Sequence, residues 1–304
     1  MNLLVSSVYL LVALLVASGP ARAATTRPTD PSPRQIAEYQ ARAGLGDADA
    51  QNDLGFYYAN GRGVPKNYAE AIKWYRRAAD QGHANGQVNL GLCYSRGRGV
   101  EKDETEALKW FRLAAAQNLA RAQFNLGVCH AFGQGVPKNH PEAVKWYRLA
   151  AEQRNAEAQY NLGFCYLVGQ GVTEDHKQAV KWYRLAAAQY YAPAQESLGV
   201  CHANGWGAEK DDKEAVKWYR LAADQNDSLA QLRLARCYLK GQGLETDYTE
   251  AFAWYSLAAK TNQDAAKERD ELEKIMSPEQ ITAAKRRMER LRTEIAAKSR
   301  GGAK

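Results

Sequence analysis

A 36-residue period constrains this 304-residue chain more than any other feature of it. Tryptophan recurs at Trp74, Trp110, Trp146, Trp182, Trp218 and Trp254. Gly-x-Gly pairs recur in the same register, at Gly61/Gly63, Gly97/Gly99, Gly133/Gly135, Gly169/Gly171, Gly205/Gly207 and Gly241/Gly243, and no insertion interrupts them. A fixed period of this size marks an array of stacked supersecondary units, none of which can bury a hydrophobic face alone.

Residues 120–155 show what one unit contains. Ala120, Gln123, Leu126, Gly127 and Cys129 fall at helical spacing. They are followed by Gly133-Gln134-Gly135, where glycine can take a left-handed helix cap. A second helix is predicted to start at a residue that is always Asn or Asp (Asn67, Asp103, Asn139, Asp175, Asp211, Asp247). Three positions later comes Glu or Gln (Glu70, Glu106, Glu142, Gln178, Glu214, Glu250), which predicts a reciprocal capping box. Pro141 sits in the first turn, where its missing N–H costs little. Ala143, Trp146, Ala150 and Ala151 form the packing side of the second helix, small residues allowing close approach and tryptophan filling the groove between units.

The pattern LG-x-C-[YH], G-x-G-V, [ND], EA-x-K-W-Y-R-L-AA, A-x-A-Q resembles Sel-1-like repeats, relatives of the tetratricopeptide repeat, over roughly residues 48–261. The resemblance implies an all-α fold, a right-handed α-solenoid of six helix-turn-helix repeats with helical caps. It also implies protein–protein interaction with no catalytic residue, cofactor or metal.

The flanks divide as follows. Residues 1–23 read as a secretory signal, an uncharged run from Leu3 to Ala17 followed by Ala21-Arg22-Ala23 as a cleavage site, with an uncleaved anchor as the rival. Cleavage would place the chain in the periplasm or outside the cell. Residues 24–33 form a Pro/Thr-rich linker, 34–47 a capping half-repeat, 48–262 the six repeats, and 263–304 a helical cap with a basic tail. Ser277, Pro278 and Gln280 predict the start of the last helix. Its apolar positions Ile281, Ala284, Met288, Leu291 and Ile295 suit either docking on repeat six or dimerisation, and a monomer is the expectation.

The formal net charge is +7, and residues 277–304, with eight basic and three acidic side chains, supply +5 of it. The repeats are nearly balanced, which disfavours nucleic acid. Glu70, Glu106, Glu142 and Glu214 precede Lys73, Lys109, Lys145 and Lys217 by three, so these columns read as a solvated helix face. The basic tail could instead touch wall polymer or anionic lipid.

All five cysteines, Cys93, Cys129, Cys165, Cys201 and Cys237, share one register. Neighbouring packed helices lie roughly 8–10 Å apart, and a disulfide needs alpha carbons within about 7 Å, so the column reads as small buried apolar residues. His130 and His202 each follow a cysteine and stand where other units have tyrosine. The two are too far apart to share a metal and read as packing positions.

Comparing units separates scaffold from surface. Ala48, Gln51, Leu54 and Gly55 are nearly constant across units, whereas four first-helix columns vary. The varying columns form one stripe, and resemblance to tetratricopeptide repeats implies that it lines a concave groove. Its centre is apolar, with Phe124, Val128, Phe132, Tyr160, Phe164 and Val168. Its ends carry Arg96 and Arg236, and beside it run Asn89, Asn125 and Asn161, amides suited to an extended peptide. The expected function is an exported, non-catalytic scaffold that binds a protein or peptide in this groove. The alternative is an envelope protein that binds wall polymer or membrane through the tail.

Overall fold

The computed structural model describes residues 30–301, with side chains through 298. The signal segment and most of the linker lie outside the described residues. Among the described residues the chain is all helical. Helix α1 (Pro33–Gly44) precedes six pairs: α2 (Ala48–Asn60) with α3 (Tyr68–Asp80), α4 (Ala84–Arg96) with α5 (Glu104–Ala116), α6 (Ala120–Phe132) with α7 (His140–Glu152), α8 (Ala156–Val168) with α9 (His176–Ala187), α10 (Ala192–Asn204) with α11 (Asp212–Ala223), and α12 (Ser228–Lys240) with α13 (Tyr248–Ala258). Helices α14 (Gln263–Glu273) and α15 (Pro278–Gly301) complete it. This is the α-solenoid class. Two compact units share the chain: residues 30–188 with 193–218, and 189–192 with 219–301. None of the described helices is long and apolar enough to cross a membrane.

Each pair closes by the same local chemistry. The first helix stops at a left-handed glycine, Gly133 with φ 75° for example. The backbone N–H of the next N-cap residue then donates to a first-helix carbonyl, Asn139 to His130 at 2.8 Å and Asn67 to Tyr58 at 2.8 Å. The N-cap carboxamide accepts from the third helical N–H, Asn139 Oδ1 from Glu142 at 3.0 Å. Only this half of the expected capping box forms in the repeats. The N-cap N–H is already spent on the first helix, so Glu142 turns to Lys145 at 2.9 Å and Glu106 to Lys109 at 2.9 Å. Where no such carbonyl is at hand, the full box appears: Ser32 with Gln35, and Ser277 with Gln280.

The core lies between repeats. One cluster joins Val88 of α4, Leu108 and Phe111 of α5, and Leu126 and Cys129 of α6, so no repeat owns it. Glycine at the first-helix contact is required by that packing. A Cβ on Gly163 would stand 2.8 Å from both Cδ1 and Cε1 of Tyr183, a ring from α9. In repeats two to five the second glycine of the Gly-x-Gly meets the preceding repeat: a Cβ on Gly99, which has φ +74°, would come within 2.7 Å of the Tyr68 carbonyl carbon.

Buried glutamines fix the register. Gln51 Nε2 donates to the Ala43 carbonyl at 3.0 Å, and Gln51 Oε1 accepts from Gln81 at 2.7 Å. Gln87 repeats this with Ala79 at 3.3 Å and Gln117 at 3.0 Å. Each amide therefore satisfies the end of one second helix while being held by the residue that ends the next, and a slipped register would strand it.

Candidate functional site

The variable stripe does not lie on one free surface. Val128, Tyr160, Phe164 and Asn161 are buried, whereas Phe124, Phe132, Val168, Asn89, Asn125 and Arg96 stay partly exposed. Helix α8 explains the difference. All eight residues from 158 to 165 are buried, so it is covered on every side over two turns. Tyr160 packs its ring 5.7 Å from Tyr183, and Phe124 sits 6.0 Å from Tyr147. Both aromatics contribute to packing between helices. Apart from Val168 at the end of α8 and Arg236 of α12, the open residues of the expected site lie on α4 and α6.

The asparagines are engaged with the scaffold. Asn125 Nδ2 donates to the Arg121 carbonyl at 2.7 Å, and Asn161 Nδ2 to the Glu157 carbonyl at 2.8 Å. Asn89 instead bridges helices: it donates to Asn52 Oδ1 at 2.9 Å and accepts from Arg121 Nη1 at 3.1 Å. Arg121 and Asn52 are thus part of this face. Both stand in columns that differ from unit to unit, which was the signal available for finding them. Burial, then the neighbouring Arg98 and Arg121 charges, push the Arg96 guanidinium below its ordinary value.

Arg236, expected as a rim cation, is not free for a partner. It belongs to the second unit, where two of its three guanidinium nitrogens, Nε and Nη2, donate to Glu268 of α14, Nε at 3.0 and 3.2 Å. Tyr255 donates to the same carboxylate at 2.8 Å. The Arg236 bond holds the Glu268 carboxyl below its usual range against the opposing effect of burial.

All five cysteines are free thiols and buried. Burial pushes the Cys129, Cys165 and Cys201 thiols up to about 12, away from the thiolate a nucleophile needs. The tyrosines aligned with His130 and His202 have a clear role. Arg148 Nη2 donates to the Tyr166 hydroxyl at 2.8 Å, and Arg76 and Arg220 do the same to Tyr94 and Tyr238. His130 and His202 are partly buried, and their Nδ1 atoms have no hydrogen-bond partner. Burial lowers the His130 imidazole, opposed by Glu142 and assisted by Arg112. No group of three or more potential metal ligands occurs among the described residues.

The family pattern described as Sel1 repeat matches six consecutive segments, residues 48–83, 84–119, 120–155, 156–191, 192–227 and 228–261. Among solved structures, the chain is similar to a Sel1 repeat protein from Oxalobacter formigenes, with 37% identity and a TM-score of 0.67 over 72% of this chain and 90% of that one. It is also similar to a protective antigen of uropathogenic Escherichia coli strains that displays the same repeat fold, with 31% identity and a TM-score of 0.54. That match covers 88% of this chain and 65% of the antigen. No curated protein matches. Sel1 repeat proteins are generally scaffolds for protein interaction. With six matched repeats, the closing turns and inter-repeat glutamines that those repeats build, and a relative 37% identical over most of both chains, the chain belongs to the Sel1 repeat family.

Proposed function

We propose that the chain is an exported, non-catalytic scaffold that holds a protein or peptide partner on the first-helix face of α4 and α6. The observation that carries this reading is the composition of what stays open there. Phe124 and Phe132 are partly exposed beside Asn89, Asn125, Arg96 and Arg121, an apolar centre within a polar and basic surround. Export rests on the apolar run and Ala-x-Ala site of residues 1–23. The test is chemical crosslinking of the mature chain in cell envelopes, beside a Phe124→Ser/Phe132→Ser variant. A discrete partner captured by the wild type and lost by the folded variant supports the reading; equal capture by both overturns it.

A second reading has its own observation. Lys285, Arg286 and Arg290 of α15 are exposed and form no ion pair among the described residues, so an anionic wall polymer or lipid surface could engage them. Replacing these three with glutamine would abolish cosedimentation with phosphatidylglycerol vesicles, and unchanged cosedimentation would reject it.

A further inference from the structure

The most poorly accommodated charge on the open face is Arg121. It lies in the first turn of α6, where the helix dipole disfavours a cation. Its counterparts in repeats one and four, Asp49 and Glu157, are acids in the first turns of α2 and α8 and suit the dipole. The N-cap of α6, Leu119, makes no side-chain cap hydrogen bond, so that helix start lacks the usual side-chain acceptor. Arg121 is partly buried, its one side-chain hydrogen bond is to Asn89, and it forms no ion pair among the described residues, Glu157 acting on it only at longer range. Arg98, at the end of the same face, also lacks an ion pair and lies 5.7 Å over the Tyr68 ring. Arg96 lies within range of both charges. Two partly buried like charges, Arg121 at the wrong end of a helix and Arg96, with the exposed Arg98 next to Arg96, set local preference against the fold. Such conflicts concentrate at functional sites.

A bound anion would relieve each of these costs at once. Three features argue for a carboxylate carried on a peptide. The guanidinium fork matches a carboxylate in two-point geometry. Phe124, three residues after Arg121 on the same helix, offers apolar contact beside it, and Phe132 offers more at the far end of that helix. Asn89 keeps a second amide N–H for a peptide carbonyl. We propose that Arg121, with Arg96 and Arg98, receives an acidic side chain or C-terminal carboxylate of a partner peptide laid across α4 and α6. This rests on the partner-binding face proposed above and adds the chemical class of its occupant.

The test selects binders of the mature chain from a displayed library of random dodecapeptides. The expected binders carry Asp, Glu or a required free C-terminus at a fixed place. For a synthetic binder read by fluorescence anisotropy, Arg121→Gln and neutralisation of that peptide acid should each weaken binding at least about 10-fold, with little further loss when combined. Arg121→Gln should also raise the thermal midpoint, since it removes a partly buried charge that no ion pair offsets. Binders that need Phe132 but show no acidic preference would overturn the carboxylate assignment and leave the face intact. A library yielding no binder would overturn both. A lowered midpoint for Arg121→Gln would make Arg121 a scaffold residue and overturn the assignment.

Discussion

Gly46, Gly82, Asn118, Arg154, Tyr190 and Asn226 occupy one position in successive connections, and all hold φ between 59° and 96°. The turn from a second helix into the next first helix imposes this left-handed backbone, and the sequence meets it with four residue types, Gly and Asn twice each and Arg and Tyr once. Glycine takes it without a Cβ penalty. Asn118 turns the position to use, its Oδ1 accepting from Gln123 at 2.9 Å and Gln153 at 3.1 Å. Arg154, at φ 65°, is exposed, and its side chain makes no hydrogen bond or ion pair among the described residues. The left-handed penalty is roughly 1–2 kcal/mol, and glycine returns about 0.5–1 kcal/mol of it as unfolded-state entropy. Arg154→Gly should therefore raise unfolding stability by about 0.5–1 kcal/mol in urea titrations. A lower stability would mean that Arg154 makes a contact worth more than the strain.

Helix α15 shows how an element ends a repeat array. The second-helix motif Lys-Trp-Tyr-Arg-Leu becomes Ala253-Trp254-Tyr255-Ser256-Leu257 in repeat six. Its outward face has lost both cations, and α15 lies on it. Leu257 is 6% exposed, whereas Leu149, its counterpart in repeat three, is 45% exposed. Ala284, Leu291 and Ile295 supply the facing side and are buried, whereas Ile281 and Met288 of the same stripe stay partly exposed. Arg287 adds an ion pair to Glu250 at 2.5 Å, and Lys298 one to Asp224 at 2.6 Å. Ala253 is fully buried, and Ala253→Lys would restore the repeat consensus while placing an unpaired ammonium under α15. The expected outcome is a loss of about 3–5 kcal/mol in the stability of the docked helix, read as early tryptic cleavage in α15 and fast hydrogen exchange there. Unchanged protection would mean that the lysine reaches solvent past the helix. Much of this was legible in the sequence. Repeat boundaries were plain because glycine and Asn/Asp recur where the chain must turn. The docking site of α15 was written in the loss of two cations. The binding face was less legible, because a column that varies between units can be lining a surface, as Phe132 does, or packing between helices, as Tyr160 does. Periodicity records only that the position is not shared scaffold. Arg236 misled for a related reason, its partner Glu268 lying beyond the last repeat, where the period no longer predicts contacts.

At the scale of the molecule, burial of the cysteine column couples folding to alkaline pH. Repeats two to six each bury one thiol, whereas repeat one has Tyr57 at that position. In the unit of residues 30–188 and 193–218, burial lifts Cys93 from 9.0 to about 11 and Cys129, Cys165 and Cys201 to about 12. Below about 9 these thiols are protonated in both states, and their contribution to stability is fully present. Between about 9 and 12 the unfolded chain releases protons that the folded chain retains, so stability falls as pH rises through that window. The slope approaches roughly 1.4 kcal/mol per pH unit for each thiol once the unfolded form is ionised. Tyr75, Tyr147 and Tyr183 are raised by burial as well and act in the same direction above their ordinary value of 10.0. The thiol part is separable. A chain with Cys93, Cys129, Cys165 and Cys201 all changed to alanine should start less stable, because four small cavities open, yet its urea midpoint should hardly change between pH values of about 8.5 and 10, where that of the wild type falls steadily. Parallel slopes in the two proteins would mean that the native thiols ionise as readily as free ones. In that case the column would be open to solvent and to oxidants wherever the protein works.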